Sequence, residues 1–348
     1  MGLYKFRLEL LQRLINENNQ VSIIVPFGEF IDKIINTGCK VIDCEISRHG
    51  KNPFQDLRLL NTYKKILRVE KPDIVFTYTI KPNIYGGMAC KSLKIPYVVN
   101  ITGLGTAVEN GGLLQKLTLF LYKKGINKAR KVFFQNAENR DFMLKHKIVK
   151  DNFDLLPGSG VNLDKYQVLE YPKTETINFV FISRIMKEKG IDQFLEMAQY
   201  IKNKYPNTSF HVCGSCEQNY EEQLKNLHKQ GIIIYHGLVK GIEKIHEISS
   251  CTVHPTYYPE GISNVLLESA ACARPIITTN RAGCREVIDD GKNGFIVRQK
   301  DSKDLIEKVE KFLSLSYEER KQMGLNGRQK VEKEFNRQIV INKYLGEL

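Results

Sequence analysis

The feature that most constrains the fold is a regular alternation of short apolar strands with helices along the whole chain. Such alternation is typical of parallel sheets covered by helices, so we predict an α/β protein. A chain of 348 residues exceeds what one core usually covers, which favours two domains. The seam is predicted at Pro157–Pro172. The predicted strands are residues 21–25, 40–43, 74–78, 97–100, 131–135 and 154–156, then 177–182, 209–213, 232–235, 252–254, 276–278 and 294–297.

Positive charge is concentrated in the first half of the chain. Residues 1–150 contain 25 Lys and Arg against 12 Asp and Glu, whereas residues 151–348 contain 27 of each kind. A basic domain beside a neutral one fits a protein whose first domain meets lipid phosphates or a lipid diphosphate acceptor. Nucleic acid is the alternative partner for such a half. We favour an anionic membrane surface and expect no nucleic acid.

Cysteine usage and hydropathy indicate the compartment. The eight cysteines are scattered, which is unlike a disulfide framework and fits reduced thiols in the cytosol. Cys213 and Cys216 form a close pair without a second pair at zinc-finger spacing, so we assign them no metal. No run approaches the roughly 18 apolar residues of a membrane span, and we expect no secretory leader before the first helix. We expect a cytoplasmic protein associated peripherally with the inner face of the cell membrane.

Two carboxylates, Glu260 and Glu268, flank a predicted loop-to-helix junction. A strand is predicted just before Pro255 and an apolar helix from Val265, which places the intervening residues where unpaired amides face an anion. A phosphate would meet those amides, and sugar hydroxyls would meet the carboxylates. The alternative is that both glutamates are ordinary solvated residues. The predicted donor-binding residues between the carboxylates are Gly261, Ile262, Ser263 and Asn264.

A second candidate element is the basic loop that follows the strand at Phe179–Ile182. Arg184 and Lys189 lie at the carboxyl end of that strand, the edge where ligands bind in parallel sheets. A guanidinium and an ammonium there suit a diphosphate whose charge grows as it leaves. The alternative is a solvated basic turn, which Lys187 also fits.

The two elements together resemble the retaining GT-B glycosyltransferases of family four. That family carries a Gly/Ser-Arg-x-x-x-x-Lys-Gly loop and a Glu-x7-Glu segment, matched here by residues 183–190 and 260–268. The resemblance implies that Arg184 and Lys189 hold the donor diphosphate. It also implies that the first glutamate contacts the transferred sugar and the second binds the ribose hydroxyls. On this basis Glu260, Arg184 and Lys189 are the predicted catalytic residues.

The likeness extends over nearly the whole chain and implies a domain arrangement. The fold expected from it is GT-B, with two Rossmann-like domains facing across a cleft. We expect an acceptor-binding domain over 1–160, a nucleotide-sugar domain over 161–330 and a helix over 331–348 that crosses back to the first domain. On the acceptor side, the resemblance points to Lys81, Thr102 and Gly103. Further similar segments are Thr79–Gly86, Asn100–Thr106, Leu156–Asn162, Arg274–Val287 and Asp290–Phe295.

The subgroup that these segments resemble builds bacterial surface polysaccharides or lipid-linked oligosaccharides. The implied reaction moves a hexose or N-acetylhexosamine, such as GalNAc, Gal or GlcNAc, from a UDP-linked donor to a lipid diphosphate-linked saccharide. No metal and no cofactor are expected. A sugar-nucleotide epimerase of the same fold and a truncated, non-catalytic sugar-nucleotide binder remain open as alternatives.

Two departures from the family pattern concern the first domain. The chain begins with Met1–Leu11, which predicts a helix where relatives carry a β-strand, so the N-terminal domain is expected to lack its first strand. The loop at 102–106 lacks the histidine found in many relatives, and the general base stays unassigned. The segment Gly112–Ala129 has a basic amphipathic pattern, whose apolar face we expect in the core and whose lysines we expect toward the membrane.

Overall fold

The computed structural model describes residues 2–46, 53–105, 108 and 111–348. Met1 and Thr106, which belong to two segments discussed above, lie outside these ranges. The chain divides into two compact units. Unit 1 comprises Met1–Ser159 and Gln338–Leu348, and unit 2 comprises Gly160–Arg337.

Unit 1 has parallel strands in two separate sheets. The described strands form a two-stranded sheet, β1-β2, and a four-stranded sheet in the order β3-β4-β5-β6. The first described element is a helix, as the sequence of residues 2–11 predicts. The elements are α1 (Gly2–Asn16), β1 (Ser22–Val25), α2 (Ile31–Ile35), β2 (Lys40–Asp43), α3 (Pro53–Glu70), β3 (Val75–Tyr78), a π-helical turn (Pro82–Gly86), α4 (Gly87–Leu93), β4 (Tyr97–Ile101), α5 (Gly112–Ile126), β5 (Lys131–Phe134), α6 (Ala137–Lys145) and β6 (Phe153–Leu155).

The two central strands of the four-stranded sheet of unit 1, β4 and β5, are the buried ones. Every residue of β4 is buried, as expected for a central parallel strand whose sequence is apolar except for Asn100. On one face lies the C-terminal helix, whose Tyr344 packs its ring 5.4 Å from that of Phe76 and 5.3 Å from that of Phe133. The Nδ2 of Asn100 also donates to the Tyr344 hydroxyl. These contacts fix the helix against the sheet.

Helix α5 packs closely on the π-helical turn and α4, and this packing corrects one expectation. A Cβ on Gly87 would lie 2.2 Å from the carbonyl oxygen of Gly125, so the two backbones touch. Only part of the apolar surface of α5 is buried there: Leu119, Tyr122 and Ile126. The expectation that its apolar face packs in the core was wrong for part of that face, because four apolar side chains are exposed: Leu113, Leu114, Leu117 and Phe120.

Unit 2 has one continuous sheet. Its six strands are all parallel, in the order β12-β11-β10-β7-β8-β9. The prediction of parallel α/β architecture in both halves is therefore confirmed. Its elements are β7 (Ile177–Ile182), a 3-10 turn (Lys187–Lys189), α7 (Ile191–Lys204), β8 (Thr208–Cys213), α8 (Glu221–Lys229), β9 (Ile234–Gly237), α9 (Glu243–Ile248), β10 (Cys251–His254), α10 (Asn264–Ala271), β11 (Ile276–Thr279), a 3-10 turn (Arg285–Val287), β12 (Gly294–Val297), α11 (Ser302–Ser314) and α12 (Tyr317–Glu334).

The C-terminal region contains two helices. α12 ends at Glu334, and α13 (Arg337–Leu345) begins after Phe335, whose side chain is buried. A capping box at Ser316 and Glu319 starts α12. None of the helices in the described ranges combines the length and apolarity that crossing a bilayer requires.

Candidate functional site

Three loops meet at the carboxyl edge of the unit 2 sheet. β7 and β10 are parallel neighbours, and β11 follows β10, so their carboxyl ends lie side by side. The Tyr257 amide donates to the Glu188 carbonyl at 2.9 Å, and the Ser263 amide donates to the Gly283 carbonyl at 2.8 Å. Gly190 has a φ of +79°, and a Cβ there would lie 2.1 Å from the Pro255 carbonyl oxygen. Main-chain contacts therefore hold the β7 loop against the β10 loop.

Lys189 is the most buried charged group of the site. Its side chain is 5% exposed, and its Nζ contacts Oε1 of Glu260 in an ion pair. The ammonium also lies 4.9 Å from the centre of the Tyr258 ring. Burial lowers the pKa of Lys189 to about 7, and the Arg184 charge acts in the same direction. The contact with the Glu260 carboxylate opposes this by favouring the ammonium form.

Arg184 lies close to the same tyrosine. Its guanidinium carbon is 5.2 Å from the centre of the Tyr258 ring, and its Nη1 donates to Oε2 of Glu217 at 2.7 Å. Both members of this ion pair are exposed. The two cations predicted to bind one diphosphate thus lie over one aromatic ring, and each is paired with a carboxylate.

The segment between the two predicted carboxylates lies at a helix N-terminus, as predicted. α10 begins at Asn264, and Ser263 occupies the N-cap position in an extended conformation. The Ser263 hydroxyl makes no capping bond to the helix. Instead its Oγ lies 3.4 Å from Nε2 of His254. Gly261, Ile262 and Ser263 are buried, and Asn264 is half-buried.

Glu268 lies farther along α10 and has different surroundings from Glu260. It is half-buried and hydrogen-bonded to Tyr166. Burial raises the pKa of Tyr166, and the charge of Glu268 raises it further. The structure therefore brings Glu260 together with Arg184, Lys189 and the start of α10, while Glu268 contacts a phenol.

His254, at the end of β10, is buried beneath the same loops. Burial lowers its pKa to about 3, and the nearby Lys189 charge lowers it further. The imidazole is therefore neutral near pH 7. Cys284 is also fully buried, and burial raises the pKa of its thiol to about 11.

The residues predicted for the acceptor side lie in unit 1, after β3 and β4. These strands are parallel neighbours, so their carboxyl ends share an edge. Thr102 and Gly103 directly follow β4, and Lys81 precedes the π-helical turn. The Nζ of Lys81 donates to Oδ1 of Asp56 at 2.7 Å, and the Tyr85 hydroxyl donates to Oδ2 of the same carboxylate at 2.8 Å.

Sequence reasoning missed four side chains that surround the predicted ones. Their partners are distant in the chain: Asp56 lies 25 residues from Lys81, and Glu217 lies 33 residues from Arg184. Only Tyr258 had a weak signal in the sequence, because it is an aromatic residue two positions before the loop glutamate Glu260. The missed residues are Asp56, Glu217, Tyr258 and Cys284.

Comparison with known proteins relates these features to a family. The family model described as "Glycosyl transferases group 1" matches residues 167–330, and the model "Glycosyl transferase 4-like" matches residues 3–136. The chain is 30% identical over 361 positions to the "Capsular polysaccharide biosynthesis glycosyltransferase CapM" of Staphylococcus aureus, covering 97% of this chain and 91% of that protein.

Two further comparisons concern a second relative and a solved structure. The chain is 29% identical over 325 positions to "N,N'-diacetylbacillosaminyl-diphospho-undecaprenol alpha-1,3-N-acetylgalactosaminyltransferase" of Campylobacter jejuni, covering 88% of this chain and 85% of that one. Anabaena Alr3699/HepE, solved in complex with UDP and glucose, shares the fold with a TM-score of 0.78 at 14% identity, over 97% of this chain and 94% of that one.

The fold and the family therefore agree with the prediction from the basic loop and the paired glutamates. Each half of the chain matches a glycosyltransferase model, and a relative is matched over nearly its whole length. The solved neighbour supports two Rossmann-like domains of the GT-B class. The chain belongs to the family-four GT-B glycosyltransferases, and it is a sugar-transferring enzyme.

Proposed function

We propose that this enzyme is a retaining glycosyltransferase that moves a hexose or N-acetylhexosamine from a UDP-linked donor to a lipid diphosphate-linked saccharide in polysaccharide or glycan biosynthesis. The observation that carries the proposal is the contact between Lys189 and Glu260 at the carboxyl edge of the unit 2 sheet, with Arg184 and Lys189 both close to the Tyr258 ring. This arrangement joins cations for a diphosphate to a carboxylate for a sugar.

The relatives support the substrate class. The Campylobacter relative is named for transfer of N-acetylgalactosamine to a sugar on diphospho-undecaprenol, and the Staphylococcus relative for capsular polysaccharide. The Anabaena protein was solved with UDP and glucose. The name of the Campylobacter relative thus supports the proposed acceptor class, and the Anabaena complex supports UDP as the proposed donor nucleotide.

In the proposed mechanism, the donor diphosphate takes the place of the carboxylates now paired with the two cations. Arg184 leaves Glu217, Lys189 leaves Glu260, and both stabilise the charge that develops as UDP departs. The amides at the start of α10 add donors at a helix N-terminus. Because two side-chain cations supply this charge, the reaction is proposed to need no metal ion.

Glu260, once released from Lys189, positions the transferred sugar through its hydroxyls. The acceptor hydroxyl enters from the face that the diphosphate leaves, so the anomeric configuration is retained. Glu268 is proposed to bind the ribose, in exchange for its contact with Tyr166.

Transfer by site variants tests this proposal. With UDP-GalNAc, UDP-Gal and UDP-GlcNAc offered to a lipid diphosphate-linked saccharide, Lys189→Ala and Glu260→Gln should each reduce transfer by on the order of 10³-fold without unfolding the protein. Lys187→Ala is the matched control, because that lysine is exposed on the same 3-10 turn. Unaffected turnover in either site variant would reject the assigned roles.

The same assay separates the alternatives. A sugar-nucleotide epimerase would change the sugar of the donor with no acceptor present. A non-catalytic binder would show donor-dependent thermal stabilisation and no product with any acceptor. Full transfer after treatment with a chelator is expected, and loss that a divalent cation restores would contradict the metal-independent mechanism.

The acceptor diphosphate is proposed to bind unit 1 near Lys81, Thr102 and Gly103. All three follow strand ends on one edge of the four-stranded sheet. The Lys81 ammonium is positioned by Asp56, and because an ammonium has three donors it can keep that contact while it binds an acceptor phosphate.

We further propose that α5 holds unit 1 on an anionic membrane surface. Leu113, Leu117 and Phe120 repeat at helical spacing along one side and are 84%, 55% and 56% exposed. Exposed Lys116 and Lys123 flank them. A stripe of apolar side chains bordered by lysines is the pattern of an interfacial helix. It agrees with the positive charge of residues 1–150.

Vesicle binding tests this association. The protein should sediment with vesicles that contain phosphatidylglycerol and much less with phosphatidylcholine alone. Leu117→Ser with Phe120→Ser should weaken binding by about tenfold or more, because each apolar side chain contributes about 1.5–3 kcal/mol when buried. Leu238→Ser, which alters an exposed leucine in unit 2, is the control. Equal binding by the double variant would reject α5 as the contact.

A further inference from the structure

A cluster of three metal-binding side chains lies beside Lys189. His254, Glu260 and Cys284 each offer one ligand atom, and these atoms lie within 4.8 Å of one another. His254 is the last residue of β10, Glu260 lies in the loop after β10, and Cys284 lies in the loop after β11. His254 and Cys284 are buried, whereas Glu260 is partly exposed. The cluster is therefore closed on the side of the sheet and reached past the carboxylate.

The donor types select a metal. An imidazole, a thiolate and a carboxylate together suit Zn²⁺, whereas Mg²⁺ and Ca²⁺ prefer oxygen ligands alone. Zinc–ligand bonds of about 2.0–2.3 Å place the ligand atoms of a tetrahedral site roughly 3.5 Å apart. Small side-chain movements close the present separation to that value.

A second observation points to a ligand at this place. His254 is only 1% exposed, and its buried Nδ1 has no hydrogen-bond partner among the described residues. A buried polar atom without a partner costs free energy, and coordination of the imidazole offsets that cost. The imidazole is the neutral form that binds metals.

We propose that Zn²⁺ binds His254, Glu260 and Cys284 in the donor-free enzyme and inhibits sugar transfer. The Cys284 S–H bond breaks as the Zn–S bond forms, and the proton goes to solvent. The metal takes the Glu260 carboxylate from Lys189 and places a positive charge next to that ammonium. With the metal bound, neither Glu260 nor Lys189 is in position to bind the donor, so donor and metal compete for the site. The inhibition rests on the proposed function, whereas the binding does not.

Cobalt spectroscopy tests the site without reference to activity. Chelator-treated full-length protein titrated with Co²⁺ should develop the near-ultraviolet thiolate-to-cobalt charge-transfer band with a stoichiometry of one. Cys284→Ser should abolish the band. Cys216→Ser is the matched control, since Cys213 and Cys216 are the close cysteine pair outside the cluster. No band in the wild type, or a band lost in Cys216→Ser and kept in Cys284→Ser, would overturn the proposal.

A second variant controls for misfolding of Cys284→Ser. A kinetic measurement tests the inhibitory role separately from metal binding. His254→Gln should retain the charge-transfer band at a Co²⁺ concentration at least tenfold higher. In transfer assays, Zn²⁺ should inhibit competitively with the donor, and the inhibition constant should rise at least tenfold in Cys284→Ser. A cobalt band with equal zinc inhibition of wild type and Cys284→Ser would refute the inhibitory role.

Discussion

The two units each place a lysine after a strand end and pair it with a carboxylate, but they surround the pair differently. In unit 2, Lys189 and Glu260 lie in loops that are joined by main-chain contacts, beside a continuous six-stranded sheet. In unit 1, Lys81 and Asp56 lie beside a four-stranded sheet and a π-helical turn. The Lys189–Glu260 pair, which we propose binds the donor, is held by backbone packing, whereas Lys81, which we propose binds the acceptor, is held by the single carboxylate of Asp56.

The two units also differ in net charge. The net positive charge of the chain is in residues 1–150, together with the exposed apolar stripe of α5, while residues 151–348 are neutral. Under the proposed function, the basic unit 1 brings the enzyme to the anionic surface that carries lipid-linked acceptors, and the neutral unit 2 avoids non-specific attraction to lipid.

The largest expected effect comes from the backbone contact that shapes the donor site. Gly190→Ala should cost about 4 kcal/mol of unfolding free energy, because its Cβ meets the Pro255 carbonyl and its φ is positive. Gly291→Ala is the control, since Gly291 has a φ of +78° with nothing within 4 Å of the added Cβ. It should cost about 1 kcal/mol. Urea unfolding measures both, and equal costs would show that the close contact is unimportant.

Acid should destabilise unit 2 through its buried histidines. Burial lowers the pKa of His246 to about 4, and neither ring nitrogen has a hydrogen-bond partner in the described residues. The unfolded chain, with an ordinary pKa of 6.5, then binds more protons between pH 6.5 and 4, so stability falls as the pH falls. Protonation of His246 alone should lower the free energy of unfolding by about 2 kcal/mol at pH 5 and by about 3 kcal/mol at pH 4, relative to pH 7.

Two variants test this dependence. His246→Leu should remove that part of the loss between pH 7 and pH 5 in urea unfolding followed by circular dichroism. The exposed His228, changed to Leu, should leave the loss unchanged. The same pH dependence in His246→Leu and the wild type would contradict the account. His211, whose pKa burial also lowers to about 4, should retain part of the acid sensitivity.

On the acceptor side a smaller effect is expected. Asp56→Asn should raise the KM for the acceptor several-fold, because Lys81 loses the carboxylate that positions it, and should leave the donor KM unchanged. Asp32→Asn, in another helix of unit 1, is the control. A change in the donor KM would contradict the division of roles between the units.

The smallest expected effect is at the exposed partner of Arg184. Glu217→Gln should lower the donor KM by about two- to fivefold, because the guanidinium no longer leaves a carboxylate when the diphosphate binds. Exposed ion pairs are worth at most about 1 kcal/mol, which sets that limit. Glu221→Gln, in the exposed pair with Lys225, should have no effect. A raised donor KM would show that Glu217 positions Arg184 instead.

The sequence predicted the strands well because parallel strands buried on both faces are short apolar runs. It also predicted that residues 261–264 lie at a helix N-terminus, since an apolar helix begins directly after them. The side-chain contacts of the site could not be predicted from the sequence. Glu217 and Glu260 pair with cations 33 and 71 residues away, and only the folded sheet sets such distances. The exposed face of α5 was missed because burial of an amphipathic helix depends on which neighbour covers it.

The most direct test of the central claim is calorimetric binding of UDP and of the best UDP-sugar to three variants. Lys189→Ala should lose affinity for both ligands by at least about 100-fold. Glu260→Gln should bind UDP at least as well as the wild type but lose the added affinity of the sugar. Lys81→Ala should bind both ligands like the wild type. Wild-type UDP affinity in Lys189→Ala, or an equal loss in Lys81→Ala, would contradict the assignment of the donor to unit 2.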